Sequence, residues 1–101
     1  MDYTLIRYET KPERTAENRA LVEGVFEELA RVRPEDVHYM VLELEDGSFA
    51  HLVATPENAG PNPLLALVAF RAFVANSSER QAAPAKPAAA KVVGNYKMLA
   101  S

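Results

Sequence analysis

The chain of 101 residues has no cysteine. That excludes a disulfide framework, a thiolate nucleophile and a cysteine metal site. Its four glycines, Gly24, Gly47, Gly60 and Gly94, are scattered and form no phosphate-cradling loop. Neither sign of charge dominates: 14 acidic against 11 basic residues leave a formal charge of −3. This mild acidity argues against nucleic acid or an anionic membrane as the main partner. No long apolar run is present either. The longest, Leu64 to Ala75, is interrupted by Arg71 and falls short of the roughly 20 residues that span a bilayer. The start Met1-Asp2-Tyr3 lacks a signal-peptide pattern, so a cytoplasmic location is expected. There is no nucleophile elbow for a serine triad, and no aromatic residues interleave with a basic stripe.

What remains is an ordinary globular composition, 49% hydrophobic and 25% charged, sized for one domain over residues 1–101. Tyr3-Thr4-Leu5-Ile6-Arg7-Tyr8 reads as a strand that Pro12 stops. Thr10 and Glu13 are spaced as a capping box, and Thr15 is a second possible cap. The stripe Leu21, Val22, Val25, Phe26 and Leu29 predicts a helix to about Val32, ended by Pro34. Val37–Glu45 and Ser48–Thr55 read as strands of a hairpin across Asp46-Gly47. Asn62 and Pro63 can open a second helix, Leu64 to about Asn76, with one further capped turn near Ser78. Residues 82–91 are Ala/Pro-rich and read as a crossover loop. Val92 to Leu99 reads as the last strand.

Strand, helix, strand, strand, helix, strand is the ferredoxin-like βαββαβ order. It predicts an α+β fold, with a four-stranded, mostly antiparallel sheet and two helices on one face. A two-residue turn would pair Leu42 with His51. One hairpin face would then carry His38, Met40, Leu42, Leu44, Phe49, His51, Val53 and Thr55; the other would carry Tyr39, Val41, Glu43, Glu45, Ser48, Ala50, Leu52 and Ala54. Both faces are largely apolar, yet two helices cover only one. An exposed apolar sheet is rare in a monomer, so a second copy is expected to cover it and form a homodimer. A small apolar or aromatic ligand is expected beside the sheet.

Tyr-x-x-x-Arg-Tyr-x-Thr-Lys-Pro at Tyr3–Pro12 resembles the opening strand of the dimeric α/β-barrel superfamily, in its antibiotic-biosynthesis-monooxygenase-like branch. Val25-Phe26-Glu27-Glu28-Leu29, the hairpin Leu44-Glu45-Asp46-Gly47-Ser48-Phe49-Ala50-His51 and Val93-Gly94-Asn95-Tyr96 resemble it as well. The resemblance covers nearly the whole chain, with a gap at residues 82–91. It implies a dimeric barrel and either cofactor-free oxygenation of a quinol-like substrate, haem degradation, isomerisation or no turnover. The tryptophan that oxygenases of this group often place at the pocket is absent here.

His51 is the candidate catalytic residue. An imidazole near its ordinary pKa of about 6.5 could take a proton from a phenol; alternatively it is a histidine held by hydrogen bonds inside the dimer. Arg7, His38, Tyr39, Met40, Leu42, Phe49 and Tyr96 are the candidate ligand-binding residues. Arg7 could hold an anionic oxygen or form an ion pair. The tyrosines Tyr8, Tyr39 and Tyr96 could donate to a substrate oxygen or simply pack with a wet tip. His38 and His51 fall roughly 13 Å apart in the expected register, too far to share an ion, and no third ligand is evident. No metal site is therefore expected, and the resemblance implies no cofactor. The alternatives to an oxygenase are a binding or structural dimer without turnover, and haem bound through a histidine.

Overall fold

A computed structural model describes residues 1–57, 60 and 62–98. Strand β1 (Asp2–Glu9) is followed by a short 3-10 turn (Pro12–Arg14) and helix α1 (Thr15–Val32). The hairpin strands β2 (His38–Glu43) and β3 (Ser48–Thr55) come next. A second 3-10 turn (Pro63–Ala66), helix α2 (Val68–Ala75), the single-turn α3 (Ser77–Arg80) and β4 (Lys86–Ala90) complete the described elements. The sheet order is β2-β3-β1-β4 and every pairing is antiparallel. This is the expected ferredoxin-like sheet, with the first and third strands at its centre.

Each helix boundary has a local cause. Arg33 takes a left-handed φ of 53° and its N–H reaches the Leu29 carbonyl, closing α1 just before Pro34. Asn62 accepts the Leu64 N–H at 3.0 Å and opens the second turn, as its sequence position suggested. The second helix is shorter than expected because Leu67 is extended and breaks it in two. Its second half is capped from outside: the Glu28 carboxylate accepts the N–H groups of Val68 (3.1 Å) and Ala69 (2.7 Å). A negative charge there also complements the helix dipole. Thr10 does not cap α1. Its hydroxyl donates to the Gly47 carbonyl at 2.8 Å and meets the Thr15 hydroxyl at 2.7 Å, so it ties the hairpin loop to the helix start.

The hairpin register differs from expectation by one residue. The Leu44 N–H bonds the Ser48 carbonyl and the Gly47 N–H bonds the Leu44 carbonyl. The loop is therefore three residues, Glu45-Asp46-Gly47, with Gly47 at φ +86°. Such a loop is a turn followed by a glycine bulge. The extra residue flips every β2 side chain relative to β3. Val41, not Leu42, lies opposite His51, and Leu42 pairs with Ala50.

The last strand is also displaced. Lys86–Ala90 pairs with β1 through Leu5↔Ala88 and Ile6↔Pro87. The expected crossover loop at 82–91 thus contains the edge strand itself. Val92 to Met98 forms no strand, and Leu99 lies outside the described residues. Pro87 is tolerated because only one side of an edge strand needs donors.

The helices cover the face bearing Ile6, Tyr8, Tyr39, Val41, Phe49, His51 and Val53. Here Tyr8, Phe49, Val22, Val25, Leu64, Leu67 and Phe73 form the buried core. The opposite face carries Tyr3, Leu5, Arg7, His38, Met40, Leu42, Ala50 and Leu52, and no described helix lies over it. Leu42 is 54% exposed there.

Candidate functional site

The register brings three polar rings together beneath the helices. His51 is only 4% exposed. Its Nε2 lies 2.8 Å from the Tyr8 hydroxyl and its Nδ1 lies 2.6 Å from the Tyr39 hydroxyl. Tyr8 projects from β1 and Tyr39 from β2, so β3 holds the imidazole between two phenols. Phe73 of α2 covers its face, with ring centroids 5.5 Å apart. Tyr39 is held in turn by a stacked Phe26 (5.1 Å) and an edge-on Phe70 (6.3 Å).

The network continues into the fold. Asn18 of α1 donates its amide to the Tyr8 oxygen at 2.9 Å. Arg80, 1% exposed, donates its Nε to the Asn18 oxygen at 2.9 Å and an Nη2 to the Phe73 carbonyl at 2.6 Å. Its guanidinium also sits 5.1 Å from the Phe73 ring centre, a cation–π distance. The backbone around Arg80 is fixed where its carbonyl accepts the Lys11 N–H and where Gln81 bridges Thr10.

Burial sets the electrostatics. Desolvation pulls the His51 pKa from 6.5 down to about 4, so the imidazole is neutral near pH 7. Desolvation raises the Tyr39 phenol above its ordinary value, and the neighbouring Tyr8 raises it further. Burial raises Tyr8 as well, while the Asn18 hydrogen bond and the Arg80 charge pull it back. Both phenols stay protonated.

Beside these rings lies a cavity of about 200 Å³, lined by Tyr8, Tyr39, His51, Phe70, Phe73 and Leu64 among others. A hollow of about 370 Å³ on its outer side, rimmed by Asp2, Thr4 and Thr55, shares Ile6, Val53 and Asn62 with it. An engineered apolar cavity of roughly 150 Å³ accepts benzene, so the inner space suits one aromatic ring. It is too small for a tetrapyrrole, and neither His51 nitrogen is free of a partner, so haem does not fit this cavity.

The expected ligand-binding residues divide sharply. His51 and Tyr39 meet at the cavity. Phe49 is in the core, stacked on Tyr8 at 5.6 Å. Arg7, His38, Met40 and Leu42 lie on the opposite, open face, because β2 is flipped by the three-residue loop and Arg7 alternates with Tyr8 along β1. Tyr96 is exposed in the C-terminal segment, near Tyr3 and Leu52. The two histidines are on opposite faces, and among the described residues no cluster of three potential metal ligands occurs. Arg71 reaches the Leu65 carbonyl (2.8 Å) at the surface. Sequence reasoning missed Asn18 and Arg80. A polar Asn18 beside the apolar stripe of α1 was the available signal. Nothing local marked Arg80.

No family model and no curated protein matches the chain. Solved structures do. An antibiotic biosynthesis monooxygenase structure superposes with a TM-score of 0.72 at 19% identity, covering 93% of this chain and 100% of that one. A Bacteroides thetaiotaomicron protein, provisionally named for the same activity, gives 0.77 at 18% identity over 97% and 95% of the two chains. A Nitrosomonas europaea protein of unknown function gives 0.71 at 20% identity over 99% and 96%. The chain therefore has the ferredoxin-like α+β fold seen in antibiotic biosynthesis monooxygenase structures.

Proposed function

We propose that this protein binds a small aromatic molecule in the cavity between the sheet and α2, with its polar end at the Tyr39–His51 pair. The observation that carries this reading is a ring-sized, largely apolar space next to a buried tyrosine–histidine–tyrosine cluster. A few fixed polar groups in an apolar pocket is the usual make-up of a small-molecule site. His51 serves here as the neutral anchor of both phenols. A pKa near 4 leaves it too weak a base to take a phenol's proton efficiently.

The names of the similar structures favour a second reading, a monooxygenase; the sequence resemblance makes it cofactor-free and its substrate quinol-like. In that reaction a ring C–H of the quinol becomes C–OH and the quinol is oxidised to the quinone, as in hydroquinone plus O2 giving hydroxybenzoquinone and water. One atom of dioxygen enters the carbon and the other leaves as water, and the substrate supplies all four electrons. The cavity then supplies orientation and a dry environment.

The proposal includes a homodimer through the open sheet face, in the cytoplasm. Leu5, Met40, Leu42 and Leu52 form its apolar surface, and the adjoining C-terminal segment exposes Val93 at 95%. No described helix is long and apolar enough to cross a membrane. Light scattering should give twice the 11.1 kDa chain mass.

The test of the site is titration of single-ring aromatics, followed by ligand-observed NMR, with oxygen uptake recorded on hydroquinone. Binding to the wild type, lost in Val74→Phe, supports the cavity. Val74 is an exposed lining position, so this change blocks the space without disturbing the sheet. Unchanged binding in Val74→Phe would refute the site; oxygen uptake above the uncatalysed rate, with one atom of labelled dioxygen found in hydroxybenzoquinone, would select the oxygenase reading.

A further inference from the structure

The direction of every hydrogen bond around His51 follows from Arg80. A guanidinium can only donate. Its Nε–H therefore fixes the Asn18 Oδ1 as an acceptor, at 2.9 Å. The other end of that amide, Nδ2, can only donate, and it donates to the Tyr8 oxygen at 2.9 Å. Tyr8 has one proton. Among the described residues its one neighbour able to accept that proton is His51 Nε2, at 2.8 Å. With Nε2 accepting, the neutral imidazole carries its proton on Nδ1. Nδ1–H then donates to the Tyr39 oxygen at 2.6 Å.

Tyr39 then accepts from Nδ1–H and has one O–H left to place. The opposite order would have Tyr8 accept from both Asn18 and His51 and leave the Tyr8 proton unmatched. Tyr8 is the more deeply buried phenol, and a buried unmatched donor costs about 1–3 kcal/mol. Both phenols line the cavity, but Tyr39 is only half-buried, so the spare proton belongs there.

Building on the small-aromatic reading above, we infer that Tyr39 is the donor that selects the ligand, and that the ligand presents a hydrogen-bond acceptor oxygen, an aryl carbonyl or a phenolate. A ligand whose polar group can only donate leaves the Tyr39 proton unmatched. The chain from Arg80 through Asn18, Tyr8 and His51 is the positioning apparatus that holds this polarity. Because the imidazole is neutral and the phenol is protonated near pH 7, the polarity does not change across the neutral range.

Two measurements test it. The first is the 15N spectrum of the wild-type histidines, which distinguishes the two neutral tautomers. A protonated Nδ1 on His51 agrees with the inference, and a protonated Nε2 overturns it. The second compares acetophenone with isopropenylbenzene, which has the same shape but no acceptor. In the wild type acetophenone should bind about fivefold more tightly, one net hydrogen bond. In Tyr39→Phe the two should bind alike. Equal binding to the wild type, or a preference that survives Tyr39→Phe, overturns the inference and leaves the cavity reading standing. Binding of neither probe overturns both.

Discussion

Lowering the pH from 7 to 5 sets a proton on His51 against the cost of charging a buried ring. In the fold the imidazole titrates near pKa 4; in the unfolded chain it titrates at its ordinary 6.5. Between those values the unfolded chain binds more protons than the folded one, so stability falls as the pH is lowered. Above pH 6.5 the contribution is complete, and it is lost progressively toward pH 4. The full difference corresponds to about 3 kcal/mol, of which about 2 kcal/mol is lost between pH 7 and pH 5. That is a sizeable part of the ~5–15 kcal/mol typical of a domain. Urea unfolding at pH 7, 6 and 5, at fixed protein concentration, measures it. The carboxylates with lowered pKa values, Glu17, Glu43 and Asp46, change their contribution at lower pH and do not confound this window. His51→Gln should remove most of the slope. A wild-type stability that stays flat from pH 7 to pH 5 would show that the imidazole is hydrated or already charged, and the site would need rebuilding.

Other substitutions test the remaining parts. Arg80→Leu strands the Asn18 and Phe73 oxygens and should cost about 3 kcal/mol or more in chemical denaturation. Tyr8→Phe leaves the Asn18 amide and His51 Nε2 without a partner and should cost about 1–3 kcal/mol. Glu28→Ala removes the cap on α2 and should cost about 1 kcal/mol, read as a drop in thermal midpoint. Leu42→Asp puts a charge on the open face and should yield a folded monomer by light scattering; a Leu42→Asp dimer of unchanged affinity would remove that face from the assembly.

Much of the fold was legible because its elements announce themselves locally. The Leu21–Leu29 stripe, the Pro34 stop and the Asp46-Gly47 turn each act within a few residues. The hairpin register was not legible, since Asp-Gly suits both a two-residue and a three-residue loop. Only the placing of Tyr39 beside His51 and against Phe26 requires the longer one. The strand at Lys86–Ala90 was hidden because Lys-Pro-Ala-Ala-Ala has no strand preference of its own. Its conformation comes from pairing with β1, a case of context overriding propensity. Val92-Val93 had the preference, but no described strand pairs with it. Of the site, His51 and Tyr39 were visible as polar groups on apolar strands. Asn18 and Arg80 meet across 62 residues of chain, a contact that no local pattern encodes.

The central claim is that the His51–Tyr39 cavity is a ligand site. A crystal structure of the protein soaked with acetophenone tests it most directly. The account predicts the ring between Phe70, Phe73 and Leu64, with its oxygen within hydrogen-bond reach of the Tyr39 hydroxyl. Ligand density on the open sheet face, with the cavity closed around its own side chains, would contradict it.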